Sequence, residues 1–149
     1  ALYNMGLAYQ RLGKTETAVK NYRRLLAINP KHGGALANLA MIHGAQGNHE
    51  AAFDFMTQAV AAEPENSNFH YNLAISAIHL KKLTLAEKNL KQAVEIKPDY
   101  TQAMMILGRL YITQQKYDDA VRMFERILLI DPDQGQARRY LEQLRQAKK

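Results

Sequence analysis

Three asparagines, Asn4, Asn38 and Asn72, recur at intervals of 34 residues within segments that have a helical apolar pattern. An asparagine inside a helix costs roughly 0.5 kcal/mol relative to alanine, so its recurrence needs a reason. A primary amide carries both donors and acceptors and can pair with the C=O and the N–H of one peptide unit. Three such amides in a row would hold an extended main chain with little regard for its sequence. The alternative is that each amide bonds to a neighbouring helix of the chain itself.

The residue types that support catalysis or metal binding do not form a recognisable set. Gly13-Lys14-Thr15 is similar to the end of a phosphate-binding loop, but that motif needs a glycine five residues before Gly13, where the chain has Ala8. The five histidines show no paired metal-ligand spacing, and the chain has no cysteine. We therefore expect no enzyme activity, no cofactor, no metal ion and no small-molecule substrate.

The formal net charge of +6 is unevenly distributed. Residues 1–74 hold six Lys or Arg against five Asp or Glu, whereas residues 75–149 hold fourteen against nine. A basic half can attract nucleic acid, but here cations alternate with acids at helical spacing, which is typical of a solvated helix face. We therefore do not expect a nucleic-acid partner. No apolar run approaches the ~18 residues of a membrane span, so we expect a soluble protein, cytoplasmic or periplasmic, without being able to choose between these compartments.

The prolines set the period of the chain. Pro30, Pro64, Pro98 and Pro132 lie 34 residues apart, and a fixed period of this length is typical of an array of repeats that stack on one another. Within each period, apolar residues recur at i, i+3, i+4 and i+7, which predicts two amphipathic helices. The predicted helices are 1–12, 15–28, 33–46, 49–62, 67–80, 83–96, 101–114, 117–130 and 135–147.

A turn is predicted between the two helices of every pair. Gly13 and Gly47 occupy this turn in the first two periods, where a residue free to adopt a positive φ ends the first helix. Lys81 and Gln115 occupy the same position in the later periods, so we expect those turns to be less typical.

These features resemble the tetratricopeptide repeat family, whose 34-residue motif places small and aromatic residues at fixed positions before a terminal proline. The small residues that let paired helices approach are Gly6, Ala40, Ala74, Gly108, Ala18, Ala52, Ala86 and Ala120. His70 and Ala77, which stands in place of an aromatic residue, depart from the motif, so we expect looser packing in the third repeat. The resemblance implies an all-α solenoid, a right-handed superhelix of antiparallel helix pairs. It implies four repeats in residues 1–132, the first truncated at its N-terminus, and a capping helix in residues 133–149.

In this family the first helix of each repeat lines a concave groove, and the register of the motif assigns residues of this chain to that groove. The expected groove residues are Tyr3, Asn4, Leu7, Asn38, Met41, Asn68, Tyr71, Asn72, Ile75, Met105, Arg109 and Arg139. Ile106 takes the asparagine position in the fourth repeat. Exposed apolar residues mark binding grooves, although several of these side chains could instead pack between helices.

The resemblance also implies a function, namely a protein-interaction scaffold that binds a peptide or helix of a partner protein. Two alternatives stay open: a substrate-recruiting arm of a larger enzyme such as a glycosyltransferase, and a self-assembling structural unit. The chain begins in mid-repeat, as a piece of a longer protein would. The apolar face of residues 1–28 is therefore expected to lack its covering repeat, and we expect a weak homodimer through that end.

A chaperone-tail clamp of this family requires cationic residues at set groove positions. Of the residues that form such a clamp, only Asn38 has a match in this chain. The other clamp positions are occupied by Tyr3, Leu7, Asn68 and Asn72. We therefore do not expect this chain to act as a chaperone co-factor.

Overall fold

The computed structural model describes residues 1–147, and this part of the chain folds into nine α-helices joined by short turns. The helices are α1 (Leu2–Arg11), α2 (Thr15–Ile28), α3 (Gly33–Ala45), α4 (His49–Ala62), α5 (Ser67–His79), α6 (Leu83–Ile96), α7 (Thr101–Thr113), α8 (Tyr117–Ile130) and α9 (Gly135–Ala147). The second helix of every pair and α9 have the predicted bounds, whereas each first helix ends one residue earlier than predicted. Residues 148 and 149, which the predicted capping segment includes, lie outside the described residues.

The helices pack in chain order. Helix α1 packs on α2, α3 on α4, α5 on α6 and α7 on α8, and each pair contacts the next through its second helix. The buried apolar side chains form three clusters along the chain instead of one central core. Stability therefore comes from contacts between neighbouring helices, as in other repeat arrays. The predicted all-α solenoid is confirmed.

Helix α9 ends the described array with one apolar face. Ala137, Leu141 and Leu144 are buried on this helix, which packs against α8. Arg138 and Glu142 are exposed on its outer side. A polar outer face is what a terminal unit of a repeat array needs, because it prevents further stacking. The helices of residues 1–147 therefore fit four repeats followed by a capping helix.

All four turns inside the helix pairs have the same backbone geometry. The turn residue lies in the left-handed region, with φ of 70° at Gly13, 79° at Gly47, 57° at Lys81 and 60° at Gln115. The N–H of the next residue donates to the carbonyl five positions earlier at 2.8–2.9 Å, which is the closing bond of a Schellman motif. The expectation that the later turns differ is therefore wrong. Lys81 and Gln115 adopt the geometry of glycine because the same Schellman bonds close all four turns.

Two of the repeats have a close contact between a glycine of the first helix and an aromatic ring of the second. A Cβ on Gly108 would lie 2.8 Å from the ring of Phe124, below any normal contact between carbon atoms, and Gly6 faces the ring of Tyr22 in the same way. Gly6, Tyr22 and Phe124 are all buried. An aromatic ring on the second helix is therefore accommodated only because the first helix has no side chain there.

The second and third repeats solve the same packing problem with different residues. At the equivalent positions they place Ala40 in one buried cluster with Met56, and Ala74 in another with Leu90. All four side chains are at most 2% exposed. A methyl group on the first helix thus goes with an aliphatic side chain on the second, and the volumes of the two positions compensate each other.

His70 links three segments of the third repeat. Its Nδ1 lies 2.8 Å from Asn89 Oδ1 on α6, and its Nε2 lies 2.8 Å from the carbonyl oxygen of Pro64. Asn89 Nδ2 donates to the Leu85 carbonyl, which fixes the direction of the amide. The imidazole is 8% exposed. The expected looser packing of this repeat is therefore wrong, because the histidine fills its position and has an acceptor oxygen 2.8 Å from each ring nitrogen.

Glu87 on α6 connects the third repeat to the fourth. Its carboxylate accepts hydrogen bonds from Lys91 Nζ at 2.6 Å and from Lys116 Nζ, just before α8, at 2.9 Å. Its side chain is 13% exposed. Burial disfavours the charged carboxylate, but the hydrogen bonds from Lys91, Lys116 and Gln114 outweigh burial and lower the pKa of Glu87 to about 2.

We predict that Gly108→Ala destabilises the protein by about 1–3 kcal/mol, because the added methyl overpacks the contact with Phe124. A destabilising effect would distinguish overpacking from helix propensity, since the same change in a free helix stabilises the helix by about 1 kcal/mol. The double variant Gly108→Ala/Phe124→Leu recreates the pairing of Ala74 with Leu90 and should recover most of the loss. Urea unfolding of the two single variants and the double variant measures the coupling energy. Additive effects, or a stabilising Gly108→Ala, would contradict the packing argument.

We also predict a pH-dependent effect of Glu87→Gln. The pKa of Glu87 is lower in the folded state than its ordinary value near 4.5, so its contribution is complete above about pH 4.5 and disappears as the pH falls toward 2. Both lysines are about half exposed, so water screens their attraction to the carboxylate. We therefore expect Glu87→Gln to lower the free energy of unfolding by about 1–2 kcal/mol at pH 7. The loss should shrink to roughly a quarter of that value at pH 2.5, where a carboxyl with a pKa of about 2 is still mostly ionised, and should disappear below pH 2. Glu95→Gln, an exposed acid on the same helix, is the matched control; a loss that does not vary with pH would exclude this role.

Candidate functional site

The first helices of the repeats, α1, α3, α5 and α7, together with α9 carry the expected binding residues, and we call the surface they form the groove. Its central feature is the amide row, consisting of Asn4, Asn38 and Asn72. Asn4 is exposed, and the other two are half-buried. Asn38 Nδ2 donates to the hydroxyl of Tyr3 at 3.4 Å. Within residues 1–147 the side-chain amides of Asn4 and Asn72 have no hydrogen-bond partner. Most of the row therefore keeps its hydrogen-bonding capacity.

The apolar residues assigned to the groove fall into two groups. Met41 is 53% exposed, and Leu7 and Ile75 are half-buried, so these side chains remain available on the surface. Met105 differs from the prediction, because it is 9% exposed and belongs to the buried cluster of the last repeats. It packs between helices, as the alternative interpretation of these residues had allowed.

The two groove tyrosines lie against rings at the beginning of the following repeat. Tyr3 is 4.8 Å from His32 between ring centres, and Tyr71 is 5.1 Å from Tyr100. Both tyrosines are half-buried. Each therefore contributes to the contact between repeats and exposes only part of its ring in the groove.

Tyr100 is a groove-side residue that the sequence analysis missed. Its hydroxyl donates to Asn68 Oδ1 at 2.9 Å. Burial raises the pKa of this hydroxyl, and the neighbouring Tyr71 raises it further. Asn68 is exposed but already has this hydroxyl as its partner. The register of the repeats could have identified Tyr100. At the equivalent positions, His32 and Asn66 cap α3 and α5 with their side chains. The side chain of Tyr100 makes no such capping bond to α7 and is therefore available for other contacts.

Two cavities open on the groove. The larger, of about 680 Å³, lies between α5, α7 and α9 and is walled by Ile75, Ile78, Leu83, Ile106, Leu110, Ile112, His79, Arg109, Thr113 and Tyr140. The smaller, of about 230 Å³, is bounded by Met41, Asn72 and Ile75 among others. Ile75 belongs to both cavities, so the two are neighbours along the same surface.

The charge of the groove is one-sided. Helices α1, α3, α5 and α7 contain no Asp or Glu. Arg109 and Arg139 are exposed on α7 and α9. Neither guanidinium group has an ion pair or hydrogen bond within residues 1–147. This part of the surface therefore presents uncompensated positive charge.

The described residues offer no geometry for a metal ion. No three His, Asp or Glu side chains of residues 1–147 come together as a ligand set. His49 and His79 stack with ring centres 4.3 Å apart and planes only 3° from parallel, so the nitrogen lone pairs, which lie in the ring planes, do not converge on one point. In the same part of the chain, no helix combines the length and apolar character needed to cross a bilayer.

Stacked helix pairs with a 34-residue period define a helical-repeat protein. Models described as tetratricopeptide repeat match residues 1–64 and residues 77–144. The chain belongs to the tetratricopeptide repeat family. Repeats of this family are generally non-catalytic modules of protein interaction.

The curated relatives that the chain matches are much longer than the chain itself. It is 30% identical to the protein O-mannosyl-transferase TMTC3 of Homo sapiens over 135 residues, which is 88% of this chain and 15% of that protein. The chain spans at most 30% of the length of the first curated relatives it matches.

Two solved structures illustrate the fold. The crystal structure of MamA aligns with a TM-score of 0.89 at 19% identity, covering 97% of this chain and 84% of MamA. The first tetratricopeptide domain of Spaghetti (RPAP3), solved with an HSP90 peptide, aligns with a TM-score of 0.72 at 29% identity, covering 77% of this chain and 91% of that domain.

Proposed function

We propose that this chain is a non-catalytic scaffold whose groove holds an extended segment of a partner protein. The amide row carries the proposal. Asn4 and Asn72 present amides that have no partner within residues 1–147, at equivalent positions of α1 and α5, and Asn72 also lines the smaller cavity. Each such amide can donate to a carbonyl and accept from an N–H of a bound peptide.

The spacing of the row suits an extended main chain. The bond from Asn38 to Tyr3 joins the first helices of two adjacent repeats, and we take the usual value of about 8–10 Å between neighbouring helices as their spacing. An extended or polyproline-like peptide advances about 3.1–3.4 Å per residue. One amide of the row therefore corresponds to about every third residue of the ligand, and a polyproline-like peptide, with three residues per turn, presents the same side of its backbone at each such step.

The comparison with RPAP3 supports peptide binding in general but not the same peptide. That domain was solved with an HSP90 peptide. In this chain Tyr3, Leu7, Asn68 and Asn72 occupy the positions where a clamp for such a chaperone tail needs cationic residues. We therefore propose a different peptide for this groove.

A second candidate function is a substrate-recruiting arm of a larger enzyme. The observation that favours it is the 30% identity to a 15% segment of an O-mannosyl-transferase. The sequence of the complete gene decides between the two candidates. A catalytic domain on the same polypeptide, whose substrate competes with peptides for the groove, would support the arm, and its absence would exclude it.

We predict that Asn38→Ala/Asn72→Ala weakens binding of groove peptides by about twofold to tenfold per residue, because each lost hydrogen bond contributes about 0.5–1.5 kcal/mol. Peptides selected from a random-sequence display library, labelled and measured by fluorescence anisotropy, provide the ligands. The melting temperature should stay nearly unchanged. Gln92→Ala, a half-buried amide on α6 outside the groove, is the control. A lower melting temperature with unchanged affinity would show that the amides are structural.

Self-association through α1 remains a separate prediction. Met5 is 43% exposed and Leu2 and Tyr9 are half-buried on this helix, which leaves apolar surface available for a second copy. Sedimentation of this chain over a hundredfold range of concentration should show a weak dimer that Met5→Glu abolishes. A monomer at every concentration would remove the dimer from consideration.

A further inference from the structure

The amide row changes character in the second half of the groove. The amide row consists of Asn4, Asn38 and Asn72, at intervals of 34 residues. The next two positions at this interval are Ile106 and Tyr140. Both of these residues are half-buried walls of the 680 Å³ cavity. Neither the aliphatic Ile106 nor the ring of Tyr140 can hold a peptide unit by a pair of hydrogen bonds. The groove therefore stops offering main-chain contacts where it begins to offer an apolar cavity.

The cavity has room for a bulky apolar side chain of a ligand. Its walls are mostly aliphatic, with Ile75, Ile106 and Leu110 among them. Its volume lies in the range of pockets that enclose organic groups. Apolar walls favour an apolar occupant, because a polar one would lose its hydrogen bonds to water without replacement.

Arg109 adds a charge requirement to this cavity. It belongs to the cavity wall, and its guanidinium group has no partner within residues 1–147. Arg122 on α8 pairs with Asp119 and Arg145 on α9 with Glu125, whereas Arg23 and Arg24 on α2 have, like Arg109, no acidic partner within residues 1–147. Since α1, α3, α5 and α7 carry no acid, nothing on the first helices of the repeats can neutralise Arg109. A guanidinium left free beside an apolar cavity fits a carboxylate, which it binds with two parallel hydrogen bonds.

We propose that two parts of the groove recognise different features of the bound peptide. The amide row holds the main chain without regard to sequence, and the cavity between α5, α7 and α9 selects a bulky apolar side chain with an adjacent Asp or Glu on Arg109. This inference rests on the proposed function and adds the class of ligand to it. The carboxylate is that of a side chain, so the bound segment does not have to be a chain terminus.

The test is selection of a random twelve-residue peptide library on the intact chain, followed by anisotropy measurements with the enriched peptides. We expect Leu, Ile or Phe next to Asp or Glu at one place in the peptides, with no preference at the positions over the amide row. Arg109→Gln should weaken binding about tenfold, and much less for a peptide in which the acid is replaced by its amide. Arg23→Gln, an exposed arginine on α2, is the matched control and should change nothing. Amidation of the peptide C-terminus should also change nothing.

A second variant tests the apolar half independently. Ile106→Asn extends the amide row to a fourth repeat and should abolish the preference for a bulky apolar side chain while retaining binding of the rest of the peptide. Circular dichroism and melting establish that each variant is folded.

The outcomes separate this inference from the function on which it rests. If no selected peptide loses affinity with Asn38→Ala/Asn72→Ala, the proposed function fails. If the peptides depend on the amide row but show no apolar–acidic preference, or do not respond to Arg109→Gln, only the present inference fails. If a second copy of the chain fills the groove, Arg109→Gln will convert a dimer to a monomer in sedimentation, and this also overturns the inference.

Discussion

The structure depends on how closely the two helices of each pair can approach. A helix pair of this length cannot bury its apolar faces alone, so every pair is stabilised by its neighbours, and the neighbours fit only if each pair has the same thickness. That thickness is maintained by complementary volumes, with glycine opposite an aromatic ring in the first and fourth repeats and alanine opposite an aliphatic side chain in the second and third. Because the thickness is constant, residues 34 apart occupy equivalent places along the groove. The amide row follows directly from this constraint.

The fold could be predicted almost completely from the sequence because its determinants are local and repeated. The prolines, the small residues and the apolar spacing fix each helix, and the second helices have the predicted bounds to the residue. The turns at Lys81 and Gln115 were predicted, but their positive φ was not predictable from residue type, because neither residue favours it. Their geometry is imposed by the packing of the helices on either side, which a reading of local preference does not include.

The site could be predicted only in part, for the same physical reason. Positions on the groove follow from the register, but exposure depends on which side chains of the next repeat lie above them. Met105 is covered and Asn68 is engaged by Tyr100, whereas Met41 and Asn72 are free. Tyr100 stands at a position where other repeats have a capping residue, and its contact joins residues 32 apart. Contacts of this kind depend on the geometry between repeats, which no single repeat encodes.

The capping helix carries a further consequence. Tyr140 on α9 is a wall of the larger cavity, opposite Ile75 and Ile106 of the third and fourth repeats. Inserting another helix pair between α8 and α9 would preserve every neighbour contact that a solenoid requires. It would nevertheless move Tyr140 away from the cavity by the length of one repeat. A residue of the inserted helix pair would then form that wall. The number of repeats and the selectivity of the cavity are therefore not independent properties, and an array of this kind cannot be lengthened at its capped end without redefining what it recognises.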